Sequence, residues 1–434
     1  MANVIGRRSF LGSVGGAAAL AAVTGCASKA TTPVAAAAPA AQPAMQPAPG
    51  APMAAAPSPM TQLIAKYPPL APLGDEVFQR RFARVRELAK EAGASCVFAT
   101  SGTTAFAYLA GSRVERSERL IALVVPVDHD EFLVAPAFEV ERMKRQTRLR
   151  DVRPWEEQDN PFAVVAKGVS AAKGPHKILV EPHTEYQAAI ALGRALPGAK
   201  LLDGAPAFER LRLHKDQDEL ARIRRAIEVT QDIWDLAFAE LRPGVKDREV
   251  AQAITEKFRQ VGYTGYGLVQ FGALASLPHG HPNGAPLTEG SVVLIDGGCE
   301  VDGYWSDITR TRVFGGGGPD EFAKVHAIVH DAQSAAIERA RPGVACQEID
   351  RAARAVIDKA GYGQFFTHRL GHGLGMDGHE PAYMVEGNTQ KLEPGFVFTA
   401  EPGIYLPGKF GVRIEDDVLC GPDGAVVLSK RTAR

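Results

Sequence analysis

Cysteine is scarce in this sequence of 434 residues: five occur, widely spaced and without a Cys-x-x-Cys pair, so no disulfide framework is indicated. An excess of charge of one sign is missing too. The formal net charge is -1 and no basic tract stands out, which removes nucleic acid from the expected partners. The glycine run from Gly315 to Gly318 lacks the Lys-Ser/Thr of a phosphate loop, which removes nucleotide binding. The apolar run that ends at Gly25 is too short for a stable membrane-spanning helix. What the chain does have is length, too much for one ordinary core, and this implies two folded domains plus extensions.

The first extension carries Gly6-Arg7-Arg8-Ser9-Phe10-Leu11 followed by a Gly/Ala-rich stretch with no acidic residue. It resembles a twin-arginine export signal, which carries already folded proteins across a bacterial inner membrane. Val23-Thr24-Gly25-Cys26 resembles a lipoprotein processing site, with lipid attached to Cys26; a plain signal peptide with an incidental cysteine is the alternative. Residues 1–25 are thus expected to be a signal peptide. Residues 26–74 are expected to be a disordered tether, because Ala27 to Pro59 is almost entirely Ala, Pro, Ser, Thr, Gln and Met and cannot offset its ordering entropy by burial. The expected location is the bacterial envelope, facing the periplasm. Ala27 and Ser28 do not resemble an inner-membrane retention signal, which points to the outer membrane.

From Asp75 to Gly93, Val77, Phe82, Val85, Leu88 and Ala89 recur at helical spacing. Short β-like runs follow at 94–99, 120–126, 131–135 and 177–181, alternating with helical segments at 138–147 and 186–196. That alternation predicts a smaller α/β domain over 75–213. The charged turn His214-Lys215-Asp216-Gln217-Asp218 opens a long amphipathic helix to about Leu241, and further helices are expected to begin near Asp247, Pro319 and Gln347. Two hairpins are expected, Val292–Ile295 with Ile308–Phe314, and Phe396–Ala400 with Val412–Leu419. Helices on one face of a mostly antiparallel sheet make residues 214–434 an α+β domain.

One acid sits on each of those four strands: Asp296 after Val-Val-Leu-Ile, Asp307 in Ser-Asp-Ile-Thr-Arg-Thr, Glu401 after Phe-Thr-Ala and Glu415 in Val-Arg-Ile-Glu-Asp-Asp. A carboxylate that ends an apolar strand points inward, where an isolated negative charge is costly and demands a cation. Any one of them taken alone reads as a turn or helix cap. Four together, joined by His372 in Gly371-His372-Gly373-Leu374-Gly375, read as a metal site. The glycines there permit close backbone approach.

In that order, the wordings IDGG, SDITRT, GHGLG, EPGIY and RIEDD resemble the pita-bread metallopeptidases, most closely the Xaa-Pro aminopeptidases and prolidases; the resemblance spans Asp216 to Arg434. The smaller preceding domain also resembles the creatinase-like N-terminal domain of such members. The resemblance implies that Asp296 chelates one metal, His372 the other, that Asp307 and Glu415 bridge, and that Glu401 is both ligand and proton-transfer residue. It makes His279 and His379 catalytic and substrate-contacting, His368 a lining residue of the proline-side pocket, and Arg413 a substrate contact or an ion-pair partner of a ligand. Cys299 reads as a packed strand residue. Two divalent cations are implied, and the hard ligand set favours manganese, with cobalt, iron or zinc as options.

The function so implied is hydrolysis of the bond between an N-terminal residue and a following proline, in a protein that takes peptide substrates and, by the same resemblance, forms a homodimer. Proline specificity rests on the resemblance alone. The same scaffold could instead act on a small non-peptide molecule, since fold does not fix function; a non-catalytic envelope binding protein would have eroded ligands.

Overall fold

The computed structural model describes residues 58–170 and 176–434. The twin-arginine stretch, Cys26 and the tether up to Pro57 lie outside the described residues. Within the segment expected to be tether, α1 (Pro59–Lys66) is capped by Ser58 and is followed by an extended strap. Leu63 and Tyr67 are buried, and Lys66 and Tyr67 both bond Asp232. Arg225 and Arg222 then hold the carbonyls of Pro68 and Ala71. The tether expectation therefore fails from Ser58 onward, because Leu63 and Tyr67 supply the apolar burial that the Ala/Pro-rich stretch lacks.

The N-terminal domain contains α2 (Asp75–Glu91), β1 (Cys96–Thr100), α3 (Thr104–Ala110), β2 (Ala122–Pro126), β3 (Phe132–Pro136), α4 (Val140–Gln146), β4 (Val152–Trp155), α5 (Pro161–Val169), β5 (Lys177–Val180), α6 (Tyr186–Ala195), β6 (Lys200–Asp203) and α7 (Ala205–Arg212). Its strands form one mixed sheet in the order β4-β3-β2-β1-β5-β6. Strands β1 to β3 are buried along their whole length, which is why they read as continuous apolar runs rather than alternating ones.

Next come α8 (Gln217–Ala239) and α9 (Asp247–Val261), then β7 (Thr264–Phe271), β8 (Val292–Val301), β9 (Tyr304–Trp305) and β10 (Arg310–Val313). The charged turn read in the sequence is a capping box: Asp216 accepts from the Glu219 amide and Glu219 returns the bond. The chain continues through α10 (Phe322–Arg339), α11 (Cys346–Lys359), β11 (Gly371–Gly373), β12 (Glu380–Met384), β13 (Val397–Ala400), β14 (Gly403–Leu406), β15 (Phe410–Arg413), β16 (Asp416–Cys420) and β17 (Ala425–Val427). Both expected pairings form, 292–295 with 310–313 and 397–400 with 416–419, but their strand bounds need correction. Strand β8 runs on past Asp296 to Val301 because it pairs along its length with β7 as well as with β10. In the second, β13 pairs with β16, while Val412 and Arg413 belong to a separate β14–β15 hairpin. Pro402 has no N–H for a ladder, and it follows the last residue of β13 by two.

One buried apolar cluster runs from Val85 and Phe106 to Ile223, Trp234 and Ile295, so the N-terminal domain and the first half of the C-terminal domain share a core. A second cluster joins α10 and α11 to β13, β15 and β16. Of the acids of interest, Asp296 stands on β8, and the others lie at strand ends: Asp307 ahead of β10, Glu401 after β13 and Glu415 between β15 and β16.

Candidate metal centre

Asp296 projects from the middle of β8, Asp307 from the turn between β9 and β10, His372 from β11, Glu401 from just beyond β13, and Glu415 from between β15 and β16. Ligand atoms of Asp296, Asp307 and Glu415 lie within 4.8 Å of one another, as do those of His372, Glu401 and Glu415. The two groups overlap at Glu415. Asp307, His372 and His379 form a third such group, so His379 stands nearer the acids than a purely substrate-side residue needs to. The backbone comes close here. A Cβ on Gly371 would lie 1.9 Å from the Thr399 carbonyl, and one on Gly373 would lie 2.1 Å from that of Pro381, so glycine is required on both sides of His372.

Charge is badly out of balance in this cluster. Arg413 bonds Asp296 at 2.7 Å and is the one guanidinium ion-paired to the four acids among the described residues. Burial and the neighbouring Asp296 push Asp307 well above the usual carboxylate range. Burial, with Asp307 and Glu401 beside it, does the same to Glu415. Glu401 is raised to about 8 by burial, with Asp296 adding to it. Asp296 alone is lowered: burial would raise it, but Arg413 and Thr309 outweigh that. The Thr309 hydroxyl lies 2.6 Å from both Asp296 and Glu415 and has one proton to give. One of those carboxylates must therefore carry a proton or face a cation.

The imidazole suits a ligand. His372 Nδ1 donates to the Gly373 carbonyl at 3.0 Å, which leaves the Nε2 lone pair facing Glu401 at 3.5 Å and Asp307 at 3.8 Å. Burial and the nearby His379 lower its pKa to about 3, so the ring is neutral. Uncompensated acids, a hydroxyl short of protons and an aimed lone pair together fit divalent cations.

Around this cluster the other expected residues divide. His379 is exposed and stacks on His372 with ring centres 3.8 Å apart. Arg369 can only donate to His379 Nδ1, at 3.3 Å, so the proton of the neutral ring is on Nε2 and is available as a donor. His279 is exposed and stands close enough to His368 and His379 to help lower their pKa values, after burial as the leading cause. His368 differs from expectation in that both ring nitrogens are engaged, Nδ1 with the Arg369 carbonyl and Nε2 with the Tyr405 hydroxyl, so it meets a ligand only by its ring edge. Arg413 is spent on Asp296, Thr309, Tyr405 and the Pro278 carbonyl. Of the two roles expected for it, the ion pair is the one its geometry serves.

Four residues of the site escaped the sequence reading. Thr309 and Tyr405 lie inside quoted motifs, two and four residues after Asp307 and Glu401, and only the folded chain brings them to Arg413. Asp417 accepts from the Asp307 amide at 3.2 Å. Tyr266, half exposed, is raised above the usual phenol range by burial and by Asp307 and Asp296. Cys299 is buried in β8 against Thr230 and the Ala226 carbonyl, and it belongs to none of the ligand groups.

Residues 221–422 match the model of metallopeptidase family M24, and residues 81–214 match that of the creatinase/prolidase N-terminal domain. YkvY of Bacillus subtilis, a protein named as a dipeptidase, is 36% identical over 355 residues, which is 81% of this chain and 97% of that one. Among solved structures, a dipeptidase from Mycobacterium ulcerans is 31% identical with a TM-score of 0.77, covering 83% of this chain and 98% of its own. The prolidase from Pyrococcus furiosus is 29% identical with a TM-score of 0.71, covering 80% and 100%. The α+β architecture, with a creatinase-like domain ahead of a pita-bread catalytic domain, is common to them, and this chain belongs to metallopeptidase family M24.

Proposed function

We propose that the protein is a dinuclear Xaa-Pro dipeptidase that binds two divalent cations, manganese foremost, through Asp296, Asp307, His372, Glu401 and Glu415. The observation that carries the reading is the pair of ligand groups that overlap at Glu415, fed by four acids and one guanidinium. When bound, such a pair supplies an acidified water and a clamp for charge developing on the scissile carbonyl. The chain's own groups do the rest. Glu401 takes a proton at its carboxylate and returns it to the departing proline nitrogen. The Nε2–H of His379 donates to the developing oxyanion, with His279 across the mouth. Arg413 keeps Asp296 ionised and oriented, and the ring edge of His368 lines the pocket for proline.

Arg369, beside His379 and over the ring of Tyr383, places a positive charge where a short substrate would present its carboxylate, which favours dipeptides. The names carried by YkvY and the two structures agree with that length. The test is a panel of Xaa-Pro dipeptides, Xaa-Pro-Xaa tripeptides and Xaa-Ala dipeptides, offered to protein stripped of metal and refilled with manganese, with Glu401→Gln as control. Proline release from dipeptides that disappears in the control supports the reading; equal cleavage of Xaa-Ala, or none of any peptide, contradicts it. We further propose export by the twin-arginine route and lipid attachment at Cys26, checked by labelled-fatty-acid incorporation in wild type and Cys26→Ala, and a homodimer, checked by light scattering.

A further inference from the structure

The loop from Leu374 to His379 joins the strand of His372 to β12; Leu374 and Gly375 bond to Val397 and Trp305 of its own domain, whereas Met376 and Asp377 are held from the N-terminal domain. Arg113 donates to the Met376 carbonyl at 2.8 Å. Thr104, at the start of α3, bonds Asp377 Oδ1 at 2.5 Å. Arg212, at the end of α7, reaches Asp377 Oδ2 at 2.8 Å and Glu380 Oε1 at 2.9 Å. Lys215 holds the other Glu380 oxygen at 3.0 Å and the Arg212 carbonyl at 2.7 Å. Glu380 in turn accepts from the Asp377 amide at 3.0 Å and closes the loop on itself. The side chains of Lys215 and Glu380 are each 2% exposed, so the latch is buried at its centre, with Asp377 at its half-buried edge. Among the described residues, the ring of His379, next to Glu380, stacks on His372, meets Arg369 and stands within 4.8 Å of an Asp307 oxygen.

We propose that the N-terminal domain acts as a positioning element for His379, with Thr104, Arg113 and Arg212 holding the 374–380 loop so that the ring stays stacked over His372. The inference rests on the reading of His379 as an oxyanion donor. Its consequence is that the first domain contributes to turnover through a residue it does not contain, and small displacements of such a group are costly to rate.

Removing Arg212 or Lys215 would strand a buried carboxylate and threaten the fold. The test therefore uses the full chain with Thr104→Val and Arg113→Met combined, which release the loop from its edge. Amide exchange at Gly375 and Asp377 should accelerate while Gly371–Gly373 stays protected, and metal content should not change. With Xaa-Pro dipeptide, kcat should fall about tenfold with KM nearly constant, and the same pair of changes should cost nothing further in a His379→Ala background. Unchanged exchange in the loop overturns the latch, and an equal loss with and without His379 overturns its action through that ring. Wild-type protein that releases no proline would sink the peptidase reading instead, and the exchange result would still decide the latch.

Discussion

Two clusters of charge adjoin the stretch from His372 to Glu380, and they are built on opposite plans. In the latch, Asp377 and Glu380 face Arg212 and Lys215, one cation for each acid. Burial alone would raise Glu380, but Lys215 and Arg212 pull it below the usual carboxylate range. In the metal centre, four acids share Arg413, and three of them are raised instead. A balanced cluster is complete in itself and serves architecture. One left short of positive charge over so few ångströms is a place for cations.

The largest effect that sharpens this contrast is expected from Glu415→Gln. It removes the carboxylate common to both ligand groups, and metal-dependent hydrolysis should fall on the order of 10³-fold or more, read as kcat/KM alongside metal content. Stripped of metal, the same variant should melt higher than wild type, because a repelled acid has been neutralised. Glu380→Gln should do the reverse. It leaves Lys215 and Arg212 underpaired and should destabilise the fold by about 3–5 kcal/mol with or without metal, measured by denaturant unfolding. If both variants shift stability in the same direction, the comparison fails.

A smaller effect concerns pH. Glu401 has a folded pKa raised to about 8 over an unfolded value near 4.5, so the folded state binds its proton more tightly. The stability this contributes is full below the unfolded value and is lost as pH rises through the folded one. Metal-stripped wild type should therefore lose stability between about pH 4.5 and 8, and Glu401→Gln should flatten that slope in thermal scans at stepped pH. The least effect is expected at Cys299. Cys299→Ala should leave metal content unchanged and cost about 1 kcal/mol of packing; loss of a cation in that variant would place the thiol in the centre.

Much of this is legible in the sequence, because the chemistry of the centre is local along the chain. Asp296 and Glu401 follow apolar strands, Asp307 and Glu415 flank β-like runs and His372 sits between glycines, and apolar burial together with a charged atom is a pattern a short window holds. The strand pairings were less so. Strand β8 looked as if it ended at Asp296 because Gly297 and Gly298 break the apolar run, yet pairing with β7 carries it five residues further. Val412 and Glu415 read as one strand, and only the three-dimensional path of β14 and β15 separates them. Ser58 to Lys66 looked like more of the tether because its helix is short and its value comes from docking on α8, a contact some 165 residues away. For the same reason the tasks of Thr104, Arg113 and Arg212 could not be read: their partners lie in the other domain.

The most direct test of the central claim is to count the cations. Saturating equilibrium dialysis against manganese, followed by elemental analysis, should find two ions per chain in wild type and no more than one in Glu415→Gln, with Glu380→Gln still holding two wherever it remains folded. A wild-type protein that saturates at one ion or none, or a Glu415→Gln variant that still holds two, would contradict the assignment of this charge-starved cluster as a dinuclear centre.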